Sequence, residues 1–244
     1  MSRWLVLVFG VVTYVAFLGV FVYLVAFVAD LPIAGLAEKT VSHGGQAASG
    51  VGAVLANVAW LSLFGLQHSL MARAGFKAWI AGAVPHHVER SVYVLASSVV
   101  LALAMWQWRP LEGMVWQVQS GLGQALLWGV FVAGWLLIFV STFLTDHFDL
   151  FGLRQVYLHW AGKTYSSVAF KTVLLYKLLR HPMMLGLLLA FWSHPTMTVS
   201  HLLFAAVMSV YVFVGIHFEE RGLLRALGPD YAAWRGKTPM VLPF

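Results

Sequence analysis

Long apolar runs separated by short polar stretches dominate the chain. Residues 4–29, 51–71, 92–108 and 122–144 read as four spans, each near the roughly 20 apolar residues a helix needs to cross a bilayer. The first run is uncharged and longer than the ~7–15 residues of a secretory h-region, so it reads as a retained span rather than a signal peptide. The third ends in Trp106 and Trp108, aromatics suited to the membrane interface. Two later runs, 173–192 and 197–218, flank Ser193, His194, Pro195 and Thr196. Proline cannot continue a helix, so this is a turn and the two runs form a helical hairpin. The expected fold is an all-α polytopic membrane bundle of about six legs. It is read as one domain, with a four-span bundle over 1–145 and an interfacial segment, hairpin and C-terminal cap over 146–244.

The segment 146–179 is too polar to cross and too aromatic for a free linker, with Phe148, Phe151, Tyr157, Trp160, Tyr165, Phe170 and Tyr176. Such a segment lies in the membrane interface and can cap a cavity.

Composition supports lipid as the solvent. The chain is 61% hydrophobic and 10% charged, against about 25% charged in soluble domains. Its net charge of +6 is spread through short loops, which is the membrane-topology use of Lys and Arg rather than a nucleic-acid surface. When the loops are assigned alternately to the two sides, all 15 Lys and Arg except Lys39 and Arg109 fall on one side. The positive-inside rule then puts both termini, and the mouth of the hairpin, in the cytoplasm. With no cysteine, thiolate nucleophiles, disulfides and Cys-bound metals are excluded. No metal is implied.

The hairpin carries the densest chemistry. Its first leg contains Tyr176, Lys177, Arg180, His181, Pro182, Met184 and Gly186, and its second ends in His217, Phe218, Glu219, Glu220 and Arg221. Antiparallel legs bring these ends together, with Arg180 and His181 one or two turns deeper than Glu219. Charges within a membrane are costly and face a cavity or a partner. Pro182 is expected to break the helix ladder and free a carbonyl near residue 178 for a ligand. Gly186 permits close approach of a ligand or a helix. The plainer alternative is that Arg180 pairs with Glu219 or Glu220 and merely pins the hairpin.

Arg180-His181-Pro182, then Glu219-Glu220 with Leu223, then Gly228 with Tyr231, and Thr238-Pro239-Met240-Val241-Leu242-Pro243 resemble the membrane methyltransferase superfamily. That superfamily includes isoprenylcysteine carboxyl methyltransferases and phospholipid N-methyltransferases. Met184 stands where its pattern has an aromatic residue. The resemblance implies S-adenosylmethionine as cofactor, bound by Tyr176, Arg180, His181, Pro182, Met184, Gly186 and His217, with Glu219 and Glu220 on its amino group. A closer resemblance runs through nearly the whole chain. The stretches 63–73, 89–95, 146–156 and 194–198 look like those of bacterial methanethiol S-methyltransferases. This implies methylation of methanethiol, and of hydrogen sulfide as a further acceptor, in the bacterial inner membrane. The partners are then a small thiol and lipid, with no nucleic acid and no oligomeric state implied.

Methyl transfer to sulfur is an in-line displacement helped by loss of the thiol proton. His147, with Asp146 beside it to raise its basicity, is the first candidate base. Alternatively Asp146 is the N-cap of a helix and His147 faces the interface. Arg154 either orients the cofactor and lowers the thiol pKa, or forms a headgroup or loop salt bridge. His68, inside the second span, is a substrate-pocket candidate, or makes an interhelical hydrogen bond. His194 and His201 read as structural, and His86 and His87 as loop residues. The alternative acceptors are an isoprenylcysteine or a lipid. Another class is a haem-binding, metal-binding or nitric-oxide-respiration-associated membrane protein. A bis-His haem would require His68 and His147 at one level.

Overall fold

A computed structural model describes residues 2–34, 38–45, 50–167 and 172–242. Phe170 and Pro243, singled out above, lie outside the described residues. The element order is α1 (Arg3–Val28), α2 (Val51–Met71), α3 (Ala74–Ile80), α4 (His86–Gln107), β1 (Met114–Gln117), α5 (Gly121–Leu144), α6 (His147–Leu150), α7 (Leu153–Trp160), α8 (Leu175–Leu178), α9 (Pro182–Trp192), β2 (Thr196–Thr198), α10 (Val199–Leu227) and α11 (Pro229–Arg235). Among the described residues, α1, α2, α4, α5 and α10 are long and apolar enough to cross a membrane. Their outer faces carry large bare apolar side chains, such as Leu66 at 70% and Leu122 at 75% exposure. Lipid, not water, accommodates such surfaces.

The expected fifth leg is shorter than its apolar run. Only Pro182–Trp192, 11 residues, is a regular apolar helix. At 1.5 Å per residue it covers about 16 Å, roughly half the hydrocarbon core. The chain nevertheless passes from end to end of α10. β2, just before α10, pairs antiparallel with β1, which precedes α5, in the register Met114↔Thr198, Trp116↔Met197 and Gln117↔Thr196. Non-helical residues around Ser193–Thr196 rise about 3.3 Å each and complete the passage that α9 begins. The expected turn at 194–196 is thus a turn that runs into a short strand.

Packing groups the chain into two compact units, Met1–Leu111 with Asp146–Ala169, and Glu112–Thr145 with Phe170–Phe244. The boundary near residue 145 that the spans suggest is one of their junctions, but α5 belongs with the hairpin and the interfacial segment with the first spans.

In the first unit, α4 packs on α1 and α2, and α7 lies across α1. Gly10 of α1 makes room for α7, because a Cβ there would come within 2.4 Å of Val156 Cγ2. Val156 is completely buried with Val6 and Val88. At the other end of α1, Asp30 Oδ1 accepts from Thr40 Oγ1 at 2.5 Å and from Ser42 N at 3.1 Å. Burial opposes the Asp30 charge, but these bonds and the nearby His43 outweigh it and hold its pKa below the ordinary value. Trp108, expected at the interface, is instead buried, with its indole N–H on Val41 O at 2.9 Å, whereas Trp106 is exposed.

In the second unit, α5 and α9 form the closest helix pair. A Cβ on Gly134 would lie 2.7 Å from Gly186 O, and one on Gly186 would lie 2.6 Å from Gly134 O. Two glycines therefore let backbone meet backbone, the small-residue mode of membrane helix packing.

Candidate active site

In the second unit, Arg180, His181 and Arg235 gather around Glu220. This residue sits late in α10 with its carboxylate buried. Arg180 Nη1 forms an ion pair with Oε1, His181 Nε2 lies 3.1 Å from the same oxygen, and Arg235 Nε donates to Oε2 at 2.9 Å. A buried carboxylate is tolerable only with such compensation. Glu219, one residue earlier, turns to another face of α10 and leaves 49% of its side chain exposed, with His181 Nδ1 3.7 Å away. Tyr176 lies close by. Burial, reinforced by the Glu219 charge, pushes its phenol pKa up to about 12 against an opposing Thr145 hydrogen bond, so it is a neutral donor. Tyr231 of α11 is buried, and burial raises its pKa as well.

The backbone explains how Arg180 and His181 reach Glu220. α8 ends at Leu178, and the next residues leave the helix. Arg180 N donates to Pro239 O at 2.9 Å and His181 N to Met240 O at 3.0 Å. The C-terminal residues thus satisfy a non-helical stretch that lipid could not. Pro182 occupies the first turn of α9, where its missing N–H costs nothing. It starts a helix, and the expected broken ladder is absent because α8 has already ended at Leu178. For the same reason Arg180 and His181 stand level with Glu220 instead of one or two turns deeper.

Other hairpin residues sort by packing. Gly186 faces Gly134 of α5, so the close approach it permits is that of a helix. Met184 packs on the Val212, Ile216 and Val241 cluster. His217 is exposed, with its ring against Phe218 at 5.4 Å. Arg235, absent from the sequence-derived set, is a full member of the cluster. The signal for it is a cation in a short amphipathic helix after Gly228-Pro229. An apolar cleft of about 580 Å³, lined by Leu127, Val130, Leu185, Leu188, Phe213 and Val241 among others, opens between α5, α9, α10 and the C-terminal segment.

The donor set suits an amino-acid group. Glu219 offers an open carboxylate to an ammonium. Arg180 Nε is buried with no hydrogen-bond partner among the described residues, and Arg235 is 43% exposed. Guanidinium N–H groups beyond those held by Glu220 can take a carboxylate.

The first unit contains the other candidates, and it brings three sequence stretches together: 63–73, 89–95 and 146–156. Tyr93 OH is 2.7 Å from His68 Nε2. The Arg90 guanidinium lies 4.8 Å over the Tyr93 ring, and Arg90 Nε donates to Leu150 O at 2.6 Å. Gly152 is left-handed at φ 87, and a Cβ there would lie 2.8 Å from Ser91 Oγ. His147 is 4% exposed, and Tyr14 OH lies 2.6 Å from its Nε2. Both imidazoles therefore meet a tyrosine hydroxyl at the nitrogen a haem iron would need.

Asp146 is an N-cap: its Oδ1 accepts from Asp149 N at 3.2 Å. His147 does not gain basicity from it, since burial sets its pKa below the ordinary value. Arg154 donates to Asp149 Oδ1 at 2.9 Å and Ser166 O at 2.8 Å, which is the loop salt bridge. That hydrogen bond and the Asp149 charge raise the Arg154 pKa. Tyr14 went unread in the sequence. The available signal was a pair of hydroxyls, Thr13 and Tyr14, inside an otherwise apolar run.

Curated relatives match along the whole chain. It is 46% identical over 244 residues to the methanethiol S-methyltransferase of Mycobacterium tuberculosis, covering 100% of this chain and 98% of that protein. It is 43% identical to the enzyme of that name from Crocosphaera subtropica, covering 100% and 94%. Nurim of Mus musculus is 32% identical over 74% of this chain and 73% of its own length. No protein-family profile and no solved structure matches the chain.

Proposed function

We infer that this chain, which belongs to the methanethiol S-methyltransferase family, is a thiol S-methyltransferase that uses S-adenosylmethionine and converts methanethiol to dimethyl sulfide. When bound, S-adenosylmethionine supplies an electrophilic methyl group on a sulfonium. The observation that carries the cofactor reading is the inequality of the two glutamates. Glu220 is occupied by Arg180, His181 and Arg235, while Glu219 keeps half of its side chain open. Glu219 takes the amino group, and Arg180 with Arg235 takes the carboxylate. Glu220 holds both guanidinium groups in place. His147 is the base of the reaction, and His68 belongs to the thiol pocket. Arg154 fixes the α6–α7 loop that carries His147.

The protein is a multi-pass membrane protein. We place it in a bacterial cell membrane with both termini cytoplasmic, where S-adenosylmethionine is made. The test is incubation of purified protein with labelled S-adenosylmethionine and a panel of thiols, with headspace gas analysis. Labelled dimethyl sulfide from methanethiol is expected. Label appearing only in lipid or in a prenylcysteine would replace this reading with the lipid acceptor.

A further inference from the structure

One end of the first unit, where α1 and α4 begin and α7 finishes, is cationic. α7 closes after Trp160 in a regular C-cap, with Lys163 N on Leu158 O at 2.8 Å and Gly162 N on His159 O at 3.2 Å. The Arg3 guanidinium reaches this cap: a Cβ on Gly162 would lie 3.1 Å from Arg3 Nη1. Beside it, Trp4 meets Trp160 edge-on at 5.1 Å between ring centroids. The His159 ring stacks on His87 of α4 at 3.6 Å with an interplanar angle of 4°. Three elements from distant parts of the sequence thus bring Arg3, His87, His159 and Lys163 to one corner.

This charge is not answered from within the unit. Glu89 pairs with Lys77 at 3.0 Å, Asp149 takes Arg154 and Tyr165, and Asp146 caps Asp149 N. Asp30 and Glu38, the other acidic residues of the unit, follow the far end of α1. Among the described residues, no hydrogen bond or ion pair engages the side chains of Arg3, His87, His159 or Lys163. Arg3 and Lys163 are exposed, and the two stacked imidazoles are half-buried. The C-terminal dipole of α7 offers about half a negative charge, too little for the full charges of Arg3 and Lys163. Beyond the cations the surface turns apolar. Trp4, Val8, Val11 and Val15 share one face of α1 and are 63, 55, 45 and 60% exposed. They form a bare stripe about 16 Å long. A partner that suits both parts has an anionic head joined to an apolar tail.

We propose that Arg3, His87, His159 and Lys163 form the headgroup site of an anionic phospholipid, whose acyl chain lies along the Trp4–Val15 stripe of α1. The inference goes beyond methyl transfer and does not rest on it. Guanidinium, ammonium and imidazole N–H groups donate to phosphate oxygens. The indoles of Trp4 and Trp160 stand beside them, and headgroup depth is where such rings are favoured. Basic pockets at the ends of membrane helices hold acidic lipids in this way. The lipid is a net anion rather than a zwitterion, because a choline or ethanolamine cation would find no free carboxylate in this corner. Its phosphate joins the start of α1, the start of α4 and the end of α7, so the bound lipid stabilises the native unit.

The test uses the full-length protein in an uncharged detergent. Phosphatidylglycerol is expected to raise the unfolding temperature, since a ligand of the native state alone stabilises it. Phosphatidylcholine with the same chains is expected to raise it much less, and equal increments from the two would overturn the headgroup site. Arg3→Gln combined with Lys163→Gln should unfold at the wild-type temperature without added lipid, because both side chains are exposed. It should bind phosphatidylglycerol about twenty-fivefold more weakly, each cation beside an anionic lipid being worth about fivefold. Arg221→Gln combined with Arg225→Gln removes the same charge from α10 and should leave the affinity unchanged. Equal weakening in both double variants would mean diffuse charge attraction and would overturn the site. Inorganic phosphate or heparin acting as strongly as phosphatidylglycerol would make the corner a general anion surface and would overturn the lipid assignment. Should the first double variant prove unstable by itself, Lys163→Gln alone, outside any helix, still has to lose about fivefold in affinity, and wild-type affinity there overturns the proposal.

Discussion

Arg235 Nε and Glu220 Oε2 are 2.9 Å apart, and this bond completes the set of donors around a carboxylate that already holds Arg180 and His181. It also separates two neighbours that look equivalent in sequence. Glu220 is enclosed by three cationic or imidazole groups, and Glu219 keeps about half of its side chain exposed.

The two glutamates therefore respond differently to the same change. Glu219→Gln is expected to weaken S-adenosylmethionine binding roughly tenfold to a hundredfold, the worth of about 1.5–3 kcal/mol for a charge-assisted hydrogen bond, with the protein still folded in detergent. Glu220→Gln strands two guanidinium groups and is expected to destabilise the fold by about 3–5 kcal/mol. Calorimetric titration and thermal unfolding of both variants separate the effects. Equal affinity losses with equal stability would contradict the division of roles.

The α5–α9 contact gives a purely structural prediction. Gly186→Val places a branched side chain where a Cβ would already lie 2.6 Å from Gly134 O. Overpacking of this kind costs about 1–3 kcal/mol, and separating the helices would cost more. A lowered unfolding temperature in detergent is expected, and an unchanged one would mean the helices do not meet at these glycines.

Acid sensitivity should report on His147. Its native pKa is depressed by burial, so below about 6.5 the unfolded chain binds a proton that the native one does not. Stability rises with pH wherever the unfolded state holds more protons. The stabilisation is therefore complete above the unfolded pKa and is lost as pH falls from there toward the native pKa. Unfolding followed between pH 7.5 and 5 should show this slope in wild type and a shallower one in His147→Gln. Identical slopes would place the acid-sensitive group elsewhere.

Orientation is open to direct measurement. Reporter fusions at residues 40 and 115 should signal the periplasmic side, and one in the Arg73–Arg90 loop the cytoplasm. A cytoplasmic signal at 40 or 115 would remove the alternating arrangement of spans.

The long elements were legible from sequence because a membrane helix must satisfy its backbone internally and be apolar throughout. α2 was read to its exact ends, Val51–Met71, and α1 and α5 to within a residue. The fifth leg was not, because hydropathy counts side chains and does not see whether the backbone is helical. Arg180 and His181 lie in an apolar neighbourhood, yet their backbone hydrogen bonds go to residues 239 and 240, too distant for a local pattern to reveal. That Arg180 would pair with one of Glu219 and Glu220 followed from the cost of charge near lipid. Which glutamate would be sealed did not, since the answer depends on Arg235 arriving from α11. Tyr14 was obscured because a tyrosine in a span looks like an ordinary aromatic until its partner is known.

The bonds from Arg180 N to Pro239 O and from His181 N to Met240 O also set a schedule. During synthesis the spans of the first unit, and even α10, are complete before residues 239 and 240 exist. Until those carbonyls arrive, the backbone ahead of α9 has no permanent acceptor, and Glu220 lacks Arg235. Nascent chains halted just short of residue 239 should thus be inserted and largely helical yet unable to hold the methyl donor. If the Glu220 cluster holds the donor, competence arrives in a single late event rather than span by span, because Arg180, His181 and Arg235 meet around one carboxylate only when the last residues are in place.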